Sequence, residues 1–126
     1  MAQTMPTTIP TAALDVEAGV GAYDPTLAVE LQNSQTSPLT RGQYSSLAVY
    51  DAAGAGALVT FGVFRDALLT DLVHEFAVTW PAGASSADAE RRTPKSFYSG
   101  LWAACWSAVG GETFRVTPDC LHIAGA

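Results

Sequence analysis

The chain has 126 residues, 48% of them hydrophobic, which is the length and composition of one globular domain. Twelve acidic side chains against six basic ones give a formal charge of −6, which argues against a strongly cationic nucleic-acid clamp. The first ten residues carry no cationic side chain and no apolar block, and the uncharged run 96–111 is shorter than the ~18 apolar residues of a membrane span, so the expectation is a soluble protein made in the cytoplasm.

Residues 1–24 are rich in Thr, Pro, Ala and Gly, with one weak alternating stretch over 9–20 that reads as an arm or a hairpin. Residues 26–32 alternate cleanly, with Leu27, Val29 and Leu31 on one face and Glu30 and Gln32 on the other. A polar turn or loop follows over 33–42, containing Ser37-Pro38. The next alternating stretch, 44–50, places Leu47 and Val49 on the apolar face and Tyr44, Ser46, Ala48 and Tyr50 opposite. After a glycine-rich turn at 51–56, residues 58–64 form a β-branched and aromatic strand.

Residues 65–75 support two readings, an amphipathic helix from the four-residue recurrence of Phe64, Leu68, Leu72 and Phe76, or the lead-in to a strand. The strand 72–80 sets Phe76, Val78 and Trp80 against Val73, Glu75, Ala77 and Thr79. Thr93-Pro94 has the cap-and-proline form of a helix start. Beyond it, Phe97, Tyr98, Leu101, Trp102, Cys105, Trp106 and Val109 fall on half of a helix circumference, and no charge lies between Lys95 and Glu112. A helix without a solvated face predicts burial against a second chain. Thr117-Pro118 repeats the helix-start pattern and predicts a short helix through Ile123.

No catalytic motif stands out. His74 lies on the apolar parity of its strand, as a hydrogen-bonded core histidine would, and His122 falls in the last predicted turn. Cys105 and Cys120 lack zinc or redox spacing and read as reduced, partly buried thiols, with a crosslink in an assembled particle as the alternative. Asp66, Asp71 and Glu75 match no calcium loop, and Gly54-Ala55-Gly56 matches no phosphate loop. The expectation is therefore no enzyme, no metal and no cofactor. Arg41, Arg65, Arg91, Arg92 and Lys95 are the cations that symmetry copies would have to gather to neutralise phosphate.

Taken together, Leu27-Ala-Val-Glu-Leu-Gln32, Arg41-Gly-Gln-Tyr-Ser-Ser-Leu-Ala-Val-Tyr50 and Phe76-Ala-Val-Thr-Trp-Pro81, followed by Ser85-Ser86, Glu90-Arg91 and the long uncharged segment, resemble the coat proteins of single-stranded RNA bacteriophages. The resemblance spans residues 26–110. It implies an α+β fold: an N-terminal hairpin or arm (1–24), an antiparallel sheet (25–81) and a region with two C-terminal helices (85–126), forming an intertwined homodimer. Phe97, Leu101, Trp102, Cys105, Trp106 and Val109 would make the dimer interface.

The resemblance further implies that dimers close an icosahedral shell around single-stranded genomic RNA, assembled in the host bacterial cytoplasm. On that reading Gln32, Arg41, Tyr44, Ser46, Tyr50 and Thr79 contact RNA on the sheet face, where Glu30 and Glu75 also lie. Two other readings compete. One is a capsid-decorating protein of a tailed phage, which would be mostly strand with little helix beyond Trp80. The other is a small ligand-binding or enzyme domain with a pocket lined by Tyr98, Trp102 and Trp106.

Overall fold

The computed structural model describes residues 7–8, 12–32, 38–39, 41–50, 58–79, 86–87 and 95–124. Their regular structure is ten strands: β1 (Thr7–Thr8), β2 (Leu14–Val20), β3 (Val29–Glu30), β4 (Gly42–Tyr50), β5 (Leu58–Phe64), β6 (Leu72–Thr79), β7 (Ser86–Ala87), β8 (Lys95–Phe97), β9 (Trp102–Ser107) and β10 (Thr113–Ala124). They join in the order β6-β5-β9-β2-β10-β4-β7, with β1 on β10, β3 on β9 and β8 on β4. The β2–β9 pair is parallel, and the other pairings are antiparallel. The sheet curls into a nearly closed barrel.

Inside the curl, Val16 and Ala18 of β2, Leu47 and Val49 of β4, Phe61 and Val63 of β5, and Phe114 and Val116 of β10 share one buried core. Phe61 stands at its centre, edge-on to Phe114 at 5.4 Å and stacked on Phe76 at 5.6 Å between ring centres. Such aromatic contacts add to the area they bury.

The two ends of the sheet meet through side chains. The Tyr44 hydroxyl of β4 and Nδ1 of His74 in β6 are hydrogen-bonded at 2.7 Å, and both residues are buried. Nearby, Arg65 Nε donates to the Ser96 carbonyl of β8 at 2.8 Å. A β-bulge makes the first contact possible: Asp119 is opposite Ser46 but Cys120 is opposite Tyr44, so Ser45 is an extra residue and the side chains beyond it are re-phased. A second bulge at Val73 sits beside His74, because Val63 pairs with His74 and Phe64 with Leu72. That bulge turns Val73 inward and leaves Leu72 on the surface.

The α+β expectation is overturned, since no helix occurs among the described residues and the predicted helix over 97–109 is replaced by the end of β8, a connection at 98–101 and β9. Gly100, at φ 117°, breaks that segment in a conformation closed to side-chain-bearing residues. Beyond it, β9 lies between β5 and β2 in the middle of the sheet. Ala103 and Cys105 face the core, while Ala104 is 2% exposed on the other face, so the middle of β9 is covered on both sides. A strand buried on both faces shows no alternation, and its lack of charge is the same feature that an interface helix would display. The chain's own core takes in Phe97, Leu101 and Cys105.

The second predicted helix is also strand. Pro118 is opposite Leu47 within β10, two residues past Val116, the last residue of β10 paired with β2. Beyond that point β10 has β4 alongside but not β2, so the missing proline N–H interrupts no β2–β10 pairing. The expected N-terminal arm or hairpin instead contributes β2, an interior strand. Residues 65–71 resolve as a loop: Asp66 accepts hydrogen bonds from the Thr70 and Asp71 amides and the Thr70 hydroxyl, holding its own carboxyl below the usual range. Expectations for Trp80-Pro81, 51–56, Ser85, Glu90, Arg91, Arg92 and Thr93-Pro94 fall outside the described residues.

Candidate functional site: a tryptophan cleft at the turn after β9

The outer face of β9 carries Trp102, Ala104 and Trp106, flanked on β5 by Phe64, Gly62 and Thr60. At one end this face is covered by the chain itself. Tyr23 packs edge-on against Phe64 at 5.2 Å and donates its hydroxyl to Glu75 at 2.8 Å. Gly62 makes room for it, because a Cβ there would lie 2.7 Å from the Tyr23 hydroxyl oxygen. Burial, and then the hydrogen bond and charge of Glu75, push the Tyr23 hydroxyl well above its ordinary pKa.

At the other end the face opens. A cleft of about 300 Å³ is lined by Leu58 and Thr60 of β5, Trp106 and Ser107 of β9, and Ala108, Val109 and Glu112 of the following turn. The turn is built on two glycines with positive φ, Gly110 at 78° and Gly111 at 86°. Backbone bonds tie it to β2: the Gly111 amide donates to the Ala18 carbonyl and the Ala18 amide to the Glu112 carbonyl, both at 2.8 Å. Buried Ser107 organises the polar side, accepting from the Gly110 amide at 2.8 Å and donating to Glu112 Oε1 at 2.7 Å. Half-buried Glu112 is thus held at the cleft by one oxygen, and no Lys or Arg among the described residues pairs with it. Leu58 and Val109 are 61% and 80% exposed at its mouth.

The proposed RNA-contact residues do not assemble into one face. Tyr44 and Ser46 are buried, so neither is available for stacking or bonding to a base. Gln32 is half-buried in a bridge to Pro38, and Thr79 ends β6 opposite Leu58. Arg41 and Tyr50 are exposed but flank opposite ends of the nine-residue β4, roughly 30 Å apart. Arg65 is engaged by the Ser96 carbonyl and by Asp71 at 3.2 Å. Of the proposed interface residues, Phe97, Leu101 and Cys105 are in the chain's own core, Trp102 and Trp106 are half-buried on the outer face, and Val109 stands in solvent.

Of the three residues of the expected pocket, Trp106 lines this cleft, Trp102 does not, and Tyr98 is 76% exposed. Sequence reading missed Glu112 and Ser107. The Gly110-Gly111 pair next to Glu112 was the available sign of a tight turn that fixes a carboxylate. The two thiols are poor nucleophiles: burial, with Glu112 near one and Asp119 near the other, pushes Cys105 and Cys120 each up to about 12. Among the described residues, no three His, Cys, Asp or Glu side chains converge as metal ligands would.

No family model, characterised protein or solved structure matches this chain.

Proposed function

We propose that the chain is a non-catalytic structural protein of a phage particle, one that decorates a shell built by another protein. The observation that carries this reading is the course of residues 95–124, which form β8, β9 and β10 where a shell subunit of the RNA-phage kind has interlocking helices. A subunit of that kind completes its core on a partner. Here Phe97, Leu101 and Cys105 lie in the chain's own core, which supports a module that docks rather than one that interlocks. A self-sufficient module with Val20, Leu58 and Val109 exposed is suited to docking on a preformed surface. Its net charge of −6 favours a basic one.

Negative-stain electron microscopy and analytical ultracentrifugation of the purified chain test the proposal. A small soluble species is expected, and an antibody to the chain should label the outside of intact particles. Closed shells formed by the chain alone would overturn it.

A further inference from the structure

We infer that the cleft at Trp106 is a receptor for an alkylammonium group, occupied by a lysine side chain of the protein on which this chain docks. The cleft offers acceptors and apolar walls. Its charged group is the Glu112 carboxylate, which spends Oε1 on Ser107 and keeps Oε2 for a ligand. Half-buried Trp106 lines the cleft and provides an indole ring to which a cation is attracted. Ser107 is already committed on both sides, which leaves the Thr60 hydroxyl as the remaining side-chain polar group apart from the indole N–H.

A sugar needs several donors and acceptors in fixed array, and this lining lacks them. An anion would meet Glu112 unscreened by any lining cation. An ammonium on an aliphatic stem satisfies each part: the charge meets the carboxylate and the indole, and the methylenes lie along Leu58 and Val109. A volume of about 300 Å³ is at the small end of ligand sites, fitting one side chain rather than a folded segment. The excess of negative charge over the whole chain draws a cationic partner towards it.

The lysine's source rests on the docking function proposed above, whereas the ammonium site stands on the cleft alone. The test is titration of the full chain with Nα-acetyl-lysine methylamide, followed by the Trp106 indole and the Gly110 to Glu112 amide resonances. Saturable shifts with a Kd of about 1–10 mM are expected. Glu112→Gln retains an acceptor for Ser107 and should weaken binding about tenfold or more. The norleucine and Nε-acetyl-lysine analogues should not bind. No shift at about 50 mM, equal binding of the norleucine analogue, or unchanged affinity in Glu112→Gln would each overturn the site. Binding of the lysine analogue without particle labelling would sink the docking function and leave the site standing.

Discussion

Tyr44→Phe removes one oxygen from the contact that joins the two ends of the curled sheet. The hydroxyl lies 2.7 Å from His74 Nδ1 in a site where both side chains are 1% exposed, so water does not replace it without opening the seam. Leaving a buried polar atom without this partner costs about 1–3 kcal/mol, against a typical net value near 1 kcal/mol for a hydrogen bond. The loss should therefore be about 2 kcal/mol. With a urea m-value of about 2 kcal/mol/M, the unfolding midpoint falls by about 1 M. The assay is urea unfolding followed by tryptophan fluorescence and far-ultraviolet circular dichroism. A double-mutant cycle with His74→Phe isolates the pair, since phenylalanine preserves a ring against Phe76, whose centre lies 5.0 Å from that of His74. A coupling of about 1 kcal/mol or more is expected. A Tyr44→Phe loss below about 0.5 kcal/mol with no coupling would refute closure of the sheet by this pair.

Two neighbouring glycines should respond differently to alanine. A Cβ at Gly110 would sit 2.3 Å from Val20 Cγ2 and 3.1 Å from the Val20 backbone, whereas at Gly111 it meets nothing within 4 Å. Gly111→Ala carries only the left-handed backbone penalty of about 1 kcal/mol, and Gly110→Ala should lose about 2–4 kcal/mol by adding overpacking; equal losses in thermal unfolding would contradict the turn geometry. For the thiols, folded values of about 12 against an unfolded value of about 8.5 mean that the unfolded chain releases its protons first. Their contribution is fully present below about pH 8.5 and is lost as pH rises towards 12. Urea midpoints should fall over that range and fall less in a Cys105→Ala, Cys120→Ala variant. Iodoacetamide at pH 8 should modify the native thiols far more slowly than the denatured ones, and equal rates would show them accessible.

The readings of 44–50 and 72–80 overlap β4 and β6 closely because their side chains alternate, and that of 58–64 coincides with β5 through its β-branched and aromatic content. Alternation misled at 26–32, where a turn over 25–27 leaves only the two-residue β3. What alternation could not reveal is a bulge. Ser45 moves Tyr44 from the expected outer face into the core, and nothing in Gln43-Tyr44-Ser45-Ser46 distinguishes an extra residue from an ordinary one. The segment 97–109 failed for another reason. Its aromatic spacing suits a helix, yet the decisive residue was Gly100, and the missing charge reported burial without reporting whose surface covers it. The cleft was legible through Trp106 and not through Glu112, whose position depends on a turn tied to a strand more than ninety residues earlier in the chain.

The placement of β2 between β9 and β10 sets a timetable for the newborn chain. Asp15 meets Arg115, its partner 100 positions later, only after a hundred further residues have been translated. At common ribosomal speeds the first long strand waits roughly 5–20 s for the two strands that flank it. Until then its hydrogen-bonding edges are an invitation to the wrong neighbour, and a chaperone that holds β2 while β9 and β10 are made would serve this topology best.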